Sequence, residues 1–209
     1  MRFQNCVVIT GSVGCGKSTL CNILNNLGYE IVDADKISKK CAEESASDLK
    51  TAFGEEYFDG DTLNRKKLGN LIFTDKDAKK KLEEEMLHPK IREKIYTKIK
   101  ELEAKKKLFF VDIPLYFESN GYKELRPVAV VYVPPDIQLS RVMGRDKTDT
   151  DTAKQKIASQ IPIDQKVKMA DFKIDNSGDI GNLKKNVQKF LEEVDIWFYK
   201  NTALAETTF

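Results

Sequence analysis

The segment TGSVGCGKST, Thr10 to Thr19, carries glycines, a lysine and hydroxyls at spacings that suit one task. Gly11-x-x-x-x-Gly16-Lys17-Ser18 is a pattern whose backbone N–H groups turn inward and wrap a polyphosphate, with glycines where side chains would block the approach. Gly11, Ser12, Val13, Gly14, Cys15, Gly16, Lys17, Ser18 and Thr19 are therefore candidate phosphate-binding residues. Lys17 supplies a point charge for the β- and γ-phosphates. Ser18 offers its hydroxyl to a Mg²⁺ ion bridging them.

Further residues must say what is done with the phosphate. Asp33-Ala34-Asp35 places two carboxylates where a strand gives way to a helix, and one of them can work beside an acceptor hydroxyl while the other caps the helix. Asp35 is the preferred catalytic candidate. Asp112, ending another apolar run, suits either a metal's water shell or a structural hydrogen bond. In IQLSRVMGRDKTD, Arg141 and Arg145 stand at i, i+4 on one helix face, able to converge on an anion or to pair with Asp146 or Asp149. The base-reading N-K-x-D segment of a GTPase is absent from the sequence. A phosphate loop, a carboxylate and lid arginines point instead to phosphoryl transfer.

These residues need a scaffold. Apolar runs near Phe3–Thr10, Glu30–Asp33, Leu108–Pro114, Val128–Pro134 and Phe172–Asp175 alternate with helical text, which predicts an α/β fold: a five-stranded parallel sheet flanked by helices. Its strand ends gather the phosphate loop, Asp33–Asp35, Asp112–Pro114 and Asn176. The expected organisation is one domain over residues 1–209, with a core at about 1–35, 108–135 and 172–205. A mainly helical insertion at about 36–107 would bind substrate, and polar, turn-rich text after Arg145 predicts a lid at about 141–170. His88-Pro89 is expected to start the insertion's last long helix, with Ile91, Ile95, Ile99 and Leu102 as its apolar stripe.

Bulk properties exclude several classes. With 35 basic and 33 acidic residues the net charge is only +2, and the lysine runs at 79–81 and 105–107 are interspersed with acids as on solvated helix faces. No nucleic-acid partner is expected. The absence of a long apolar run or a secretory leader argues against a membrane and for the cytoplasm. Four cysteines without a C-x-x-C pair indicate neither disulfides nor zinc, and Cys15 is read first as a small residue that fits the loop, with a thiol activated by Lys17 and the helix N-terminus as the alternative.

The ordered series TGSVGCGKST, DAD at 33–35, LNRKKLGNLIF around Arg65, LHPKIR at His88, IPLYFE through Pro114–Glu118, QLSRVMGRD at 138–146, Gln160, KMAD at 168–171 and IDNSG at 174–178 resembles the dephospho-CoA kinases. The resemblance spans nearly the whole chain and implies the P-loop kinase fold with a substrate-binding insertion and a lid. It implies transfer of phosphate from ATP to the ribose 3′-hydroxyl of dephospho-CoA, with Mg²⁺, by a monomer or weak homo-oligomer. Asp35 would align or deprotonate the hydroxyl, while Lys17 and Arg141 stabilise the transferring group. Arg145, Asn176 and Gly178 would contact ATP, and Thr10, Asp33, Arg65, His88, Pro114, Leu115 and Glu118 the acceptor. Ser12, Cys15 and Tyr116 depart from the residues common in that family, and the resemblance implies an altered pantetheine contact at Tyr116. The rival expectations are a P-loop kinase for another nucleoside, nucleotide or small metabolite, and a non-enzymatic nucleotide switch.

Overall fold

In chain order the strands are β1 (Cys6–Gly11), β2 (Ile31–Asp33), β3 (Phe58–Asp59), β4 (Thr62–Leu63), β5 (Phe109–Asp112), β6 (Val128–Tyr132) and β7 (Phe172–Asp175). The helices are α1 (Lys17–Asn26), α2 (Ala34–Glu44), α3 (Ala46–Phe53), α4 (Arg65–Thr74), α5 (Lys76–Lys80), α6 (His88–Glu103), α7 (Pro135–Asp146), α8 (Thr150–Ala158), α9 (Ile163–Met169) and α10 (Ile180–Glu206). The computed structural model describes residues 3–60 and 62–206, without the side chains of residues 65, 72, 73, 79, 83, 84, 120 and 201–206. Two units divide the chain, Met1–Val32 with Glu101–Phe209, and Asp33–Lys100.

In the first unit, all six residues of β1 are buried, as a strand covered on both faces requires. The sheet runs β2-β5-β1-β6-β7. Parallel ladders set Ile9 opposite Asp112 and Ala129, and Val131 opposite Ile174. The chain leaves β1 for one side of the sheet and returns to build the other, so the loop after β1 lies at the topological switch point. Helices α1 and α10 pack Leu20, Leu24, Leu183, Val187, Phe190 and Val194 against Val7, Ile9, Phe110 and Val131 in one apolar core. Phe190 sits between Phe110 and Phe172, with ring centroids 6.0 and 5.6 Å away. Burying such side chains contributes about 1.5–3 kcal/mol each and holds the switch point rigid.

The polar text after Arg145 forms two helices. Lys147, at φ 50°, makes the turn that this text suggests, and Asp149 then N-caps α8, accepting from Thr152 N–H at 2.9 Å.

The second unit has its own core of Leu49, Phe58, Leu68 and Leu82. A two-residue-per-strand hairpin, β3 with β4, interrupts the helical text, with Gly60 at φ 65° in its turn. Helix α6 starts at His88 as expected, but no break precedes it: residues Lys81–Leu87 are π-helical and run directly into α6. Pro89 can offer no N–H to an i−4 carbonyl, and the wider π turns ahead of it accommodate its ring without that bond. Ile91, Ile95 and Ile99 bury the predicted stripe. Lys90 bridges to Asp48 at 3.0 Å and Lys94 pairs with Glu44, fastening α6 to α2 and α3.

Candidate active site

Strand β1 ends at Gly11 and α1 begins at Lys17, leaving a tight loop between them. Gly14 and Gly16 have φ of 81° and 84°, in the left-handed region that favours glycine. A Cβ on Gly16 would stand 2.2 Å from Asn176 Nδ2, so space as well as torsion demands glycine there. Gly16 is the N-cap of α1 and provides no side-chain cap, and no acidic residue occupies the first turn. The positive end of the helix is thus presented to an anion without a competing carboxylate.

Side chains distant in sequence shape this loop. Val13 N–H donates to Gln160 Oε1 at 2.9 Å, and Gln138 Nε2 donates to the Val13 carbonyl at 2.8 Å. Asn176 Nδ2 donates to the Cys15 carbonyl at 2.8 Å. Gln138 and Asn176 are buried, as hydrogen-bonded amides in an interior can be. Asn176, expected to contact ATP, is seated under the phosphate loop through this bond, and Gly178 is exposed.

Lys17 pairs with Asp112, whose other oxygen accepts from the Cys21 thiol at 3.5 Å. The Lys17 and Asp112 side chains are 14% and 11% exposed, so their charges meet where water screens weakly. Ser18 and Thr19 are exposed on the first turn of α1. Cys15 is fully buried, and burial pushes its thiol up despite the opposing hydrogen bonds from Ser12 and Val133 and the charges of Lys166 and Arg141. That is the environment of a packing residue, not a reactive thiolate.

The two arginines of α7 do not converge. Arg141 Nη1 would lie 3.8 Å from a Cβ on Gly16, beside the loop. Arg145 is held in a two-point grip by Asp146, at 2.7 and 3.0 Å, and Lys156 joins at 2.6 Å. One turn of helix separates a guanidinium at the phosphate loop from one neutralised by its neighbour.

Several residues expected to touch the acceptor are spent internally. Thr10 is fully buried and its hydroxyl donates to the Pro114 carbonyl at 3.1 Å, so it supports the turn after β5 and shows no surface to a ligand. Tyr116 points inward, with its hydroxyl donating to Leu125 O at 2.9 Å, so the expected change in a pantetheine contact has no exposed ring behind it. Leu115 is 45% exposed and Pro114 half-buried. Glu118 Oε1 accepts from Ile161 N–H at 3.1 Å and lies 2.7 Å from Lys166 Nζ. Lys166 is fully buried, and neither its Nζ nor Glu118 Oε2 makes a well-directed hydrogen bond. Lys166 was not among the expected site residues, although a lysine three residues after Ile163 falls on the same, inward face of α9.

In the second unit, Asp33 accepts from Lys36 N–H at 2.9 Å and is the N-cap of α2, which leaves Asp35 exposed in the first turn. His88 lines a cleft of about 490 Å³ with Pro89, Arg92, Glu93 and Tyr96. Arg65 opens α4, and its side chain lies outside the described residues.

A parallel sheet with a glycine loop at its switch point, a lysine–aspartate pair and an arginine-bearing helix beside the loop defines a P-loop kinase fold. The family model for dephospho-CoA kinase matches residues 5–182. The chain is 39% identical over 196 residues to the dephospho-CoA kinase of Campylobacter jejuni, covering 91% of this chain and 97% of that one. It is 40% identical over 194 residues to that of Helicobacter pylori, covering 92% and 98%. The solved dephospho-CoA kinase structure from Campylobacter jejuni superposes with a TM-score of 0.73 over 91% of this chain and 96% of that one. The chain belongs to the dephospho-CoA kinase family. Among the described residues, no helix is long and apolar enough to cross a membrane.

Proposed function

We propose that the protein transfers the γ-phosphoryl group of ATP to the ribose 3′-hydroxyl of dephospho-CoA, giving coenzyme A and ADP. The observation that carries the reading is the glycine loop ending at an uncapped helix N-terminus, with Lys17 and Arg141 beside it. In this reaction the ribose oxygen forms the new P–O bond as the bond to the ADP oxygen breaks, and the hydroxyl proton passes to a base or to solvent. The transition state is loose, so alignment and charge around the equatorial oxygens supply most of the rate.

Each residue takes a role on that basis. The amides of Gly14 and Gly16 and the start of α1 hold the phosphates, Lys17 places a point charge on them, and Arg141 stabilises the group in transit. Asp35, free of the capping duty that Asp33 performs, aligns the hydroxyl and accepts its proton. His88 shares a cleft with Arg92 and Tyr96 and contacts dephospho-CoA there, and in the first unit the exposed Leu115 is assigned as an acceptor contact. The exposed Ser18 hydroxyl and the Asp112 carboxylate are hard oxygen donors of the kind Mg²⁺ takes, Asp112 through water. When bound, that ion neutralises charge on the β- and γ-oxygens. The reaction is placed in the cytoplasm, with a monomer or weak homo-oligomer as the working form.

The test is ATP consumption by the purified protein with Mg²⁺, with and without dephospho-CoA, the product followed by mass spectrometry. Acceleration by dephospho-CoA with a gain of one phosphate is the expected result. ATP turnover indifferent to dephospho-CoA, or phosphate found on another acceptor in a panel of nucleosides and small metabolites, would overturn it.

A further inference from the structure

We infer that Gln138 and Gln160 are positioning residues that set the aim of the phosphate loop's amides by gripping the two peptide units on either side of Val13. The inference rests on the phosphate-binding reading of the loop and adds to it the residues that decide which way the loop's dipoles face.

A trans peptide points its N–H and its C=O in opposite directions. Gln138 Nε2 holds the Val13 carbonyl at 2.8 Å, so the amide of Gly14, on the same peptide plane, faces the other way. Asn176 Nδ2 holds the Cys15 carbonyl at 2.8 Å and directs the amide of Gly16 in the same manner. Ahead of both, the Val13 N–H is drawn to Gln160 Oε1 at 2.9 Å, and the carbonyl of that peptide, from Ser12, accepts the Cys15 N–H at 3.1 Å. Glycines at 14 and 16 carry no torsional preference strong enough to hold such an arrangement alone. A flipped peptide would set a carbonyl where an anion belongs.

The two glutamines play opposite chemical parts. Gln138 must donate, because a carbonyl faces it, and Gln160 must accept, because an N–H faces it. The backbone partner thus fixes which end of each side-chain amide is used. Gln160 is itself held from behind. Its neighbour Ile161 donates its N–H to Glu118 at 3.1 Å, and Glu118 is paired with the fully buried Lys166 at 2.7 Å. The turn between α8 and α9 is therefore anchored to the segment after β5 by a charge pair that water cannot easily loosen.

The test compares four variants, Q138L, Q138E, Q160L and Q160E, by calorimetric ADP binding, by KM for ATP and for dephospho-CoA, and by thermal denaturation. Loss of one buried hydrogen bond predicts that both leucine variants weaken ADP binding and raise the ATP KM about tenfold. The KM for dephospho-CoA should stay within about twofold. Glutamate separates the roles. Q160E keeps an acceptor for the Val13 N–H and should fall between wild type and Q160L, whereas Q138E sets a carboxylate against a carbonyl and should be worse than Q138L. Unchanged ADP affinity in the leucine variants, or equal effects of glutamate at both positions, would overturn the inference, whatever the change in melting temperature. A wild-type protein that binds neither ADP nor ATP would instead remove the phosphate-loop reading on which it rests.

Discussion

The side-chain amide of Asn176 donates to the backbone carbonyl of Cys15 at 2.8 Å, tying the residue after β7 to the middle of the phosphate loop across 161 positions of sequence. Asn176→Ala leaves that carbonyl without its buried partner, at a cost of about 1–3 kcal/mol. For a chain of this size each kcal/mol lowers Tm by roughly 2–4 °C. ADP affinity should fall with it, and more so in Asn176→Asp, where like partial charges face each other. Calorimetry and thermal denaturation would check both; an N176D protein binding ADP like wild type would contradict the assignment.

Asp33 and Asp35 divide their labour, and substitution should show it. Asp33→Asn retains a capping oxygen for Lys36 N–H and should be nearly silent in stability, while Asp33→Ala costs about 1 kcal/mol. Asp35→Asn should leave stability and ADP binding unchanged and lower kcat by about a hundredfold or more. Steady-state kinetics at saturating ATP would decide. Near wild-type turnover in D35N would remove Asp35 from the proposed role.

Much of this arrangement was legible in the sequence, and the omissions have physical reasons. Glycine spacing announces the phosphate loop because few other geometries need Gly14 and Gly16 at positive φ. Continuous apolar runs announce the parallel strands because burial on both faces erases alternation. Hairpin β3–β4 left no periodicity, having two residues per strand. The DKTDTDT text holds both a turn at Lys147 and the start of α8 at Thr150, and composition does not separate them because Asp and Thr suit turns and helix N-caps for the same reason, a short side-chain oxygen that reaches a nearby N–H. Arg141 and Arg145 share a face by spacing, yet Asp146 takes up Arg145 alone, and no period encodes that choice. The spacing of Lys166 after Ile163 marks it as inward-facing, but its pairing was not legible because its partner, Glu118, belongs to a different element.

The Asp146 carboxyl is held well below the usual carboxylate range by hydrogen bonds from Arg145 and Lys156. With a depressed folded-state value, the unfolded chain takes up the proton first as pH falls. The stabilisation is therefore complete above the ordinary carboxylate pKa of about 4 and is lost below it. The difference in melting temperature between wild type and Asp146→Asn should thus be constant at neutral pH and shrink steadily from about pH 4 downward. A difference that does not change on acidification would contradict the ion-pair account.

All four cysteines are buried, and the Cys15 thiol is pushed up by that burial. Native protein treated with iodoacetamide near neutral pH should remain unlabelled at Cys15 by peptide mass spectrometry, with labelling only after denaturation. Rapid native labelling that ADP suppresses would show instead that the loop exposes a reactive thiolate.

The grip on Val13 and Cys15 by Gln138, Gln160 and Asn176 has a consequence for the order in which the molecule becomes competent during synthesis. The glycine motif is complete once Ser18 has been added, but the side chains that aim its amides arrive at positions 138, 160 and 176. A nascent chain released from the ribosome's exit before those positions would carry the whole motif and none of its frame. If those side chains aim the amides as inferred, nucleotide capture waits for the distant half of the polypeptide, and the short glycine signature cannot act without it.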